Sequence, residues 1–382
     1  MKPGYKQTEV GVIPEDWEVK PLKLVSPLQR GFDLPYLNII SGEYPVIFSN
    51  GVGIFHNKYK VKGPGVVTGR SGTIGRVCYI EDNFWPHNTT LWVTDFKDNH
   101  SKFIYYLFET INWSSYNSGS GVPTLNRNDV HGLLLACPPN EEQKKIAEAL
   151  SDVDELIFSL EELIAKKKNI KKGAMQQLLT GKKRLPGFTG EWKEIKLGQA
   201  GDIIRKSIDP QKFSSKIFRE YSMPAFDTGK KPNVVTGSSM HSSRILISGE
   251  VLLFNKLNVR QKRVWFINHC EKHALCSSEF LPYVSTQISL PLLSYYLLTD
   301  EATSDFEGMS TGTSNSQKRI TPKKFREYSL LVPSTKQEQD AIANTLSDMD
   351  GEIDALEQKL AKTRQLKQGM MQQLLTGKIR LI

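Results

Sequence analysis

The chain has 382 residues, enough for two or three domains with sizeable cores. Its 39% hydrophobic and 24% charged residues are ordinary for a soluble globular protein, and no apolar run reaches the roughly 18–20 residues of a membrane-spanning helix. The first residues lack the apolar stretch of a signal peptide, so we expect a cytoplasmic protein. The cysteines are few and irregularly spaced, which favours a reducing compartment: Cys78, Cys137, Cys270 and Cys276.

The net charge of +9 is unevenly distributed along the chain. Lys and Arg counted against Asp and Glu give 0 for residues 1–141, +3 for 142–185, +7 for 186–336 and −1 for 337–382. A basic surplus in one large segment is compatible with a polyanionic partner. A solvated basic surface explains the surplus equally well, so charge alone assigns no partner.

The first half opens with a tryptophan and alternating apolar and charged residues, DWEVKPL at 16–22. The segment GPGVVTGRSGTIGRVCYI at 63–80 predicts strands joined by a hairpin loop. Its loop GRSGTIG resembles a phosphate-binding loop only loosely, because the G-x-G-x-x-G order and a following helix are both missing. A segment IYYLFET, a Gly/Ser-rich loop and an apolar strand ending in Pro complete this half.

Residues 142–185 predict a long helix. Its apolar residues recur at alternating intervals of four and three, which is typical of a coiled coil rather than of a globular core helix. The same spacing then reaches Lys167 and Lys171, so the apolar seam has a polar interruption. At 1.5 Å per residue, a helix of about 38 residues would extend about 57 Å.

The second half repeats the first. It begins after the turn-rich join LPGFTG near 185–190, with EWKEIKL matching the opening tryptophan segment. SYYLLTD, a second Gly/Ser-rich loop and a second apolar strand ending in Pro follow in the same order. Residues 338–381 match 142–185 without a gap at 25 of 44 positions, including the heptapeptide QQLLTGK. The chain is therefore one globular-plus-helical unit written twice.

The two helices share one predicted seam and one charge gradient. Each begins acidic and ends basic, so antiparallel pairing sets acidic halves against basic halves. The gradient could instead only complement each helix dipole. We expect antiparallel pairing within the chain, which gives the fold pseudo-twofold symmetry. The predicted seam comprises Ile146, Leu150, Val153, Ile157, Leu160, Ile164, Ile342, Leu346, Met349, Ile353, Leu356 and Leu360.

The segment NHCEKHALC contains four residues of types that bind zinc, His269, Cys270, His273 and Cys276. Their spacing fits none of the common zinc-finger arrangements, and the first half has no equivalent. We therefore expect a loop that connects two strands rather than a metal site.

Motifs for chemistry are missing from the sequence. There is no G-x-x-x-x-G-K-[ST] phosphate loop, no amino-methyltransferase signature, no H-E-x-x-H and no G-x-S-x-G. We expect no catalytic residue and no cofactor, although a hidden methyltransferase or nuclease stays a remote alternative.

Two variable halves, each followed by a helix of the type EEQKKIAEALSDVDELI…QQLLTGKKRL, resemble the specificity (S) subunits of type I restriction–modification systems. The opening VGVIPEDWEVKPL, the segment GRSGTIGRV and the run PTLNRNDV…PP…EEQ are similar to that family as well. The resemblance covers essentially the whole chain. The doubled helical segment is its most specific part, because the globular halves of the family are diverse.

The resemblance implies an α+β fold in which two mixed α/β target recognition domains are separated by two long antiparallel coiled-coil helices. The target recognition domains would be residues 1–141 and 186–336, and the helical spacers 142–185 and 337–382. Each domain would read one part of a split double-stranded DNA sequence. The helices would dock two methyltransferase (M) subunits, and restriction/translocase (R) subunits would join through the complex and carry the catalysis.

Base recognition needs donors and acceptors on loops, whereas Lys and Arg contact phosphates. In the first domain we expect DNA contacts from Arg70, Ser71, Thr73, His87, Asn88 and Arg127. In the second domain we expect them from Asn255, Lys256, Asn258, Arg260, Lys262, Arg263, Gln317, Lys318 and Arg319. An ordinary exposed loop position is the alternative for each. For the whole chain, the alternatives are a coiled-coil scaffold that bridges proteins and a vestigial specificity subunit that reads no useful site.

Overall fold

The computed structural model describes residues 3–119, 121–312 and 317–381, and the chain divides into two compact units. Unit 1 comprises Met1–Glu162 and Glu357–Ile382, and unit 2 comprises Leu163–Leu356. Each unit therefore contains one globular region together with parts of both long helices. The predicted segment boundaries instead separate globular from helical sequence. The two Gly/Ser-rich stretches lie partly outside the described residues, at Ser120 and at 313–316.

The globular region of unit 1 is built from short strands and three short helices. In chain order they are β1 (Tyr5–Thr8), β2 (Gly11–Pro14), β3 (Glu18–Pro21), α1 (Leu22–Val25), β4 (Leu28–Arg30), β5 (Tyr44–Phe48), β6 (Gly51–His56), β7 (Gly65–Gly69), β8 (Val77–Ile80), β9 (Trp85–Pro86), β10 (Thr90–Val93), α2 (Ser101–Glu109), α3 (Arg127–Val130) and β11 (Leu134–Cys137), with 3₁₀ turns at Tyr36–Asn38 and Trp113–Tyr116.

An antiparallel sheet in the order β4-β10-β7-β8 carries the main core of this region. All five residues of β7 are buried, and α2 packs on β7 and β8. The apolar residues of α2 recur on one face, which is why the helix buries Phe103, Leu107 and Phe108 against the sheet. Smaller sheets are formed by β1-β2, β11-β3 and β6-β5-β9.

The globular region of unit 2 contains more elements. They are β12 (Trp192–Lys196), α5 (Leu197–Ala200), β13 (Gly201–Ile203), β14 (Ser207–Ile208), β15 (Ile217–Tyr221), α6 (Met223–Asp227), β16 (Asn233–Thr236), β17 (Arg244–Leu246), β18 (Val251–Asn255), β19 (Val264–Ile267), β20 (Ala274–Ser277), β21 (Phe280–Ser285), α7 (Leu290–Leu297), α8 (Asp300–Met309), α9 (Pro322–Glu327) and β22 (Ser329–Pro333), with 3₁₀ turns at Pro210–Phe213, Gly237–Ser239 and Val259–Gln261. The two long helices are α4 (Asn140–Leu178) and α10 (Lys336–Leu374).

The repeat found in the sequence is also a repeat of topology. The sheet β13-β21-β18-β19 of unit 2 has the strand order of β4-β10-β7-β8, and the pair β12-β22 corresponds to β3-β11. The remaining sheets differ, because unit 2 has the five-stranded β14-β17-β20-β15-β16 where unit 1 has the three-stranded β6-β5-β9. The main sheet is thus the shared frame, and the second sheet is where the halves diverge.

Helices α4 and α10 are 39 residues long each and run antiparallel within each unit. In unit 1, Arg364 donates to Glu161 at 2.5 Å and Lys367 pairs with Asp154 at 2.8 Å. In unit 2, Lys167 pairs with Glu352 at 2.6 Å. Basic residues late in one helix therefore meet acidic residues early in the other, as the charge gradients predict. The predicted α+β fold class with antiparallel long helices and an internal repeat is confirmed.

The predicted seam residues all lie away from solvent to some degree. Those buried are Ile146, Leu150, Leu160, Ile164, Ile342, Leu346 and Ile353, and those partly buried are Val153, Ile157, Met349, Leu356 and Leu360. At the beginning of each helix the seam residues join the core of the adjacent globular region: Ile146 and Leu150 pack in the unit 1 core, and Ile342 and Leu346 in the unit 2 core.

Two lysines at equivalent positions of the seam, Lys171 of α4 and Lys367 of α10, each bind an aspartate and lie over a tyrosine ring. In unit 1, Lys367 pairs with Asp154, whose other carboxylate oxygen accepts from the Tyr106 hydroxyl at 2.8 Å. The Lys367 ammonium lies 5.3 Å from the centre of that ring. Burial and the neighbouring carboxylate raise the pKa of Tyr106, so its hydroxyl stays a donor. The polar interruption therefore attaches the helix pair to α2.

Unit 2 repeats this arrangement at the equivalent positions. Lys171 pairs with Asp350, and the Tyr295 hydroxyl donates to the other oxygen of Asp350 at 2.9 Å. The Lys171 ammonium lies 5.2 Å from the centre of the Tyr295 ring. The internal repeat thus extends to individual side-chain contacts between helix pair and globular region.

A second repeated contact joins the end of each helical segment to the start of the other helix. In unit 1, Arg380 makes a two-pronged bond to Glu142, at 2.8 Å for each oxygen, and also binds Asp16 at 2.7 Å. The indole of Trp17 donates to Glu142 at 3.0 Å. The hydrogen bonds that Arg380 donates to the carboxylates of Glu142 and Asp16 raise its pKa. In unit 2, Arg184 binds Glu338 in the same way, at 2.6 and 2.7 Å.

The heptapeptide QQLLTGK ends each helix. Gly181 and Gly377 have φ of +68° and +70°, the left-handed conformation that closes a helix and favours glycine. The leucines before them are buried in the globular core, whereas Gln176, Gln177 and Gln372 are exposed. The heptapeptide is therefore a helix stop that turns the chain toward the arginine contact.

Replacement of these glycines by alanine should destabilise the two units unequally. Gly181→Ala should cost about 1 kcal/mol, the strain of a side chain in the left-handed conformation. Gly377→Ala should cost about 2–3 kcal/mol, because its Cβ would lie 2.4 Å from Cδ of Pro14 in addition to that strain. Amide hydrogen exchange at the end of each helix measures the order, and an equal acceleration in the two variants would contradict the close packing at Gly377. Gly173→Ala, at a helical position where a Cβ meets nothing within 4 Å, is the control.

None of the helices in the described part of the chain combines the length and the hydropathy that a membrane span requires.

Candidate nucleic-acid interface

Three loops of unit 1 meet beside the main sheet. The loop between β7 and β8 begins at Arg70, whose backbone N–H donates to the carbonyl of Thr89 at 2.8 Å. Gly72 N–H donates to the Pro123 carbonyl at 3.0 Å, and Leu125 N–H donates to the Arg70 carbonyl at 2.8 Å. The hairpin loop, the segment before β10 and the loop before α3 are therefore joined by backbone hydrogen bonds into one surface.

The predicted contact residues of the first domain lie on this surface. Arg70 and Ser71 are partly exposed, Thr73 is exposed at the tip of the hairpin loop, and Arg127 is exposed at the first residue of α3. The Arg70 guanidinium reaches the Asn88 carbonyl at 3.4 Å and has no carboxylate within 4.0 Å among the described residues. The structure thus brings together the six predicted residues from three sequence segments, with Arg70 available to an anion.

His87 is held in its neutral form. Its ring lies 4.5 Å from that of Phe48, and its Nδ1 is 3.0 Å from the Thr89 hydroxyl. Burial lowers the pKa of His87. The nearby Asp33 opposes this with a smaller effect, and Arg30 adds a still smaller lowering. At neutral pH the ring therefore offers a hydrogen-bond donor and acceptor rather than a charge, which suits contact with a base edge.

Arg30 was absent from the sequence prediction. It ends β4, the strand beside β10, and contributes to the lowering of the Arg70 pKa, which burial dominates. Arg30 is half exposed, with Asp33 at 3.6 Å, and Asp33 in turn accepts from Asn88. Arg30 and Arg70 therefore both contribute positive charge to this surface. No local pattern marks Arg30, because its neighbours in space come from residues 70 and 88.

Arg70→Ala should weaken DNA binding similarly for all sequences and reduce the slope of log affinity against log salt by about 1. The reason is the loss of one phosphate contact. Fluorescence anisotropy titrations with a labelled duplex at several salt concentrations measure both quantities. Lys97→Ala, which removes a lysine already paired with Asp95, is the control and should leave the slope unchanged. An unchanged slope for Arg70→Ala would remove this residue from the interface.

The equivalent loops of unit 2 also meet. Asn258 N–H donates to the Lys318 carbonyl at 2.9 Å, and Ile320 N–H donates to the Lys256 carbonyl at 2.9 Å. Lys256 N–H donates to the Glu279 carbonyl at 3.0 Å. Gln317 is exposed beside Lys318. The hairpin loop between β18 and β19 and the loop before α9 thus correspond to the two loops that meet around Arg70.

Most predicted cations of unit 2 already bind carboxylates within the domain. Arg263 makes a two-pronged bond to Asp227 at 2.7 and 2.8 Å, and Lys262 binds Asp300 at 2.6 Å. Arg260 pairs with Glu307, and Arg319 binds Glu279 at 3.2 Å. Hydrogen bonding from these partners lowers the pKa of Asp227, Asp300 and Glu307. Their positive charge is therefore largely compensated, unlike that of Arg70.

Asn255 is the one predicted contact residue that is buried, with 2% of its surface exposed. Its Oδ1 accepts from Leu257 N–H at 2.9 Å, which shapes the start of the hairpin loop. The side chain is the last of a strand in which all five residues are buried. Its position corrects the expectation of an exposed loop residue, and its contribution is to loop shape.

The segment with His269, Cys270, His273 and Cys276 forms the connection from β19 into β20. Cys270 and Cys276 lie in an apolar cluster, where burial raises the pKa of their thiols to about 11 and about 12. His269 and His273 are exposed. Among the described residues no group of three or more His, Cys, Asp or Glu side chains is arranged to hold a metal ion.

A family model described as the type I restriction modification DNA specificity domain matches the chain twice, over residues 14–172 and 189–365. Each match contains one globular region and most of the helix that follows it. The matches therefore coincide with the repeat seen in sequence and topology.

Two relatives come from Methanocaldococcus jannaschii. The type I restriction enzyme MjaVIII specificity subunit is 24% identical over 295 residues, covering 70% of this chain and 67% of the relative. The MjaX specificity subunit of the same organism is also 24% identical, and the match covers 99% of this chain and 97% of the relative.

A similar solved structure is the S subunit of a type I restriction–modification system from M. genitalium. It superposes with a TM-score of 0.67 at 14% identity, covering 98% of this chain and 99% of that one. The similarity extends over the complete architecture, both globular regions and both long helices.

Proposed function

Because this chain belongs to the type I restriction modification DNA specificity domain family, we propose that it reads a DNA target in two parts and directs methyltransferase and restriction subunits to that target. The chain is a non-catalytic DNA-recognition subunit, like the specificity subunits to which it is similar. One observation supports a target in two parts. Each unit contains a main sheet with the same strand order, and the loops beside that sheet are joined by backbone hydrogen bonds in the same way.

The proposed division of labour follows the sequence segments. Residues 1–141 and 186–336 read DNA, and residues 142–185 and 337–382 are helical spacers. Each reading surface is centred on its hairpin loop, around Arg70 and Asn88 in the first half and around Lys256 and Asn258 in the second. Loops suit this task because their side chains can follow a target while the sheet below keeps its shape.

The helices are the proposed docking sites for two methyltransferase subunits, one for each copy of the repeated segment. The exposed glutamines of QQLLTGK support this proposal, since they are repeated although they contribute nothing to the buried core. Restriction and translocase subunits would join through that complex. The proposed location is the cytoplasm, where the complex meets its DNA.

Methylation mapping tests the proposal. The chain is expressed with its methyltransferase subunit in a host that lacks other DNA methylation, and modified bases are located across the genome. We expect one motif with two specified parts and an unspecified spacer between them. A complex that forms but leaves no bipartite motif would contradict the proposal and favour a scaffold or vestigial subunit. The methyltransferase expressed without this chain is the control.

A further inference from the structure

Uncompensated positive charge in unit 2 is concentrated beside the second sheet. Of the six predicted contact cations, four bind carboxylates, and Lys256 and Lys318 have none within 4.0 Å among the described residues. Five lysines beside the second sheet are exposed and have no carboxylate within 4.0 Å among the residues that the structure describes. These five residues form what we call the lysine face: Lys212, Lys216, Lys230, Lys231 and Lys272. The nearby carboxylates are engaged elsewhere: Asp227 with Arg263, Glu220 with Arg244 and Glu271 with Arg219.

The lysine face lies around the ends of β20, β15 and β16 in the sheet β14-β17-β20-β15-β16. Lys216 precedes β15 and Lys231 is two residues before β16, and because these strands are antiparallel the two lysines lie at opposite ends of the pair. Five residues of strand separate such ends by about 17 Å. Lys272 precedes β20, which runs parallel to β15, so it lies on the same side as Lys216.

Exposed apolar side chains lie between these lysines. The exposed fractions are 46% for Phe213, 57% for Ile217 and 62% for Val234. These apolar side chains face solvent, whereas the other face of the sheet is buried. The Lys216 ammonium lies 5.8 Å from the ring centre of Phe213, so aromatic and basic groups alternate. The exposed His269 and His273, left unassigned by the sequence, line a pocket of about 470 Å³ together with Ile217 and Lys272.

The same combination occurs in the second sheet of unit 1. Lys58, Lys60 and Lys62 follow β6 and have no carboxylate within 4.0 Å among the described residues. Phe55 is 52% exposed beside them, and the Lys60 ammonium lies 5.1 Å from the Trp85 ring centre. The two second sheets differ in strand number and order, so the shared pattern is independent of the shared frame.

We propose that the lysine face of unit 2 binds the phosphate backbone of the DNA duplex, as a surface separate from the base-reading loops. The inference rests on the proposed function and assigns the electrostatic part of DNA binding to residues outside the predicted site. Lysine acts as a flexible point charge suited to phosphates, and five uncompensated charges release counterions that the carboxylate-bound arginines do not. The second sheet then positions the protein while the main-sheet loops specify the sequence.

The test compares two variants with the same change in net charge. The first is Lys212→Gln, Lys216→Gln, Lys230→Gln and Lys231→Gln combined. The control combines Lys193→Gln, Lys196→Gln, Lys323→Gln and Lys324→Gln, which are exposed positions of unit 2 outside the lysine face, the predicted contact residues and both long helices. The full chain bound to its methyltransferase subunit is titrated with a labelled duplex carrying the mapped motif, and with an unrelated duplex, over a range of salt concentrations.

We expect the first variant to reduce the salt slope by three to four and to weaken binding of both duplexes more than tenfold at 0.1 M salt. The methylated motif should stay the same, and the control should change the slope by less than one. The double variant Lys216→Gln with Lys231→Gln should reduce the salt slope by about half as much. It keeps the test valid if the fourfold variant does not fold.

Two results would overturn the proposal while leaving the proposed function intact. The first is a wild-type salt slope in both lysine variants. The second is a selective loss of methyltransferase binding, which would show that the lysine face binds an acidic surface of that subunit instead of DNA. Failure of the proposed function is recognised separately, because the unchanged complex would then show no methylation motif and no preference between the two duplexes.

Discussion

Arg380→Met is expected to detach the end of the second helical segment from unit 1 and to cost about 3 kcal/mol there. The Glu142 side chain is 4% exposed and that of Arg380 18%, so removal of the arginine leaves a buried carboxylate without its main partner. Trp17 still donates to Glu142 but cannot neutralise it. Because the chain has two units and a single unfolding free energy is not defined for it, amide hydrogen exchange is the measurement. Exchange should accelerate at 140–146 and 370–379.

The repeat supplies a matched control. Arg184→Met breaks the equivalent bond to Glu338 and should accelerate exchange at 174–183 and 336–342 only. Arg380→Lys should be intermediate, since lysine keeps the charge but not the two-pronged geometry. Adding Glu142→Gln to Arg380→Met should recover part of the loss, because the buried charge is then gone. Wild-type exchange in Arg380→Met would show that this contact does not hold the helix end.

The long helices were predictable because their information is local and doubled. A four-three spacing of apolar residues identifies a helix and its buried side, and the second copy confirms that the spacing is no accident. The structure adds where each helix ends, since Gly181 and Gly377 of the repeated heptapeptide adopt the left-handed conformation there. Even the antiparallel direction followed from the order of acidic and basic residues along each segment.

The function of the seam lysines could not be predicted in the same way. Asp350 and Asp154 are visible as acidic partners, but Tyr295 and Tyr106 come from short helices of the globular regions. Nothing in the spacing of α4 or α10 indicates which side chain will approach from outside the helix pair. The sequence shows an interruption of the seam, and only the fold shows that the interruption is an attachment point.

The charged residues available for DNA contact were the least predictable feature of the candidate site. Arg263 and Lys262 appear as free loop cations in the sequence, yet their partners Asp227 and Asp300 lie 36 and 38 residues away. Pairing over such distances depends on how the sheet is ordered. Lys216 and Lys231 appear equally ordinary in sequence, and their lack of carboxylate partners becomes visible only when the neighbours in space are known.

Exchange of the second globular region is expected to change one half of the methylation motif and to leave the other half unaltered. Residues 191–330 would be replaced by the corresponding region of another specificity subunit. The reason is that the loops that meet around Asn258 belong entirely to this segment, whereas the loops around Arg70 lie outside it. Methylation mapping of the chimera and of both parents is the measurement.

The structure limits which donor regions can succeed. The exchanged segment carries Trp192, whose indole donates to Glu338 at 3.4 Å, and Tyr295, which donates to Asp350. Both acceptors stay behind on α10. A donor region with tryptophan and tyrosine at the equivalent positions should therefore give a complex that methylates a defined motif. A donor region without them should be poorly attached to α10 and should give weak methylation.

Tyr295→Phe in the unchanged chain separates attachment from recognition. It removes the hydroxyl bond to Asp350 while the ring stays beneath Lys171, so it should loosen the attachment of the second region without altering its loops. We expect the same bases to be methylated at lower efficiency, with more tolerance for the length of the spacer between them. A chimera that altered both halves of the motif would contradict the division of labour, whereas altered bases in Tyr295→Phe would place this tyrosine in recognition rather than attachment.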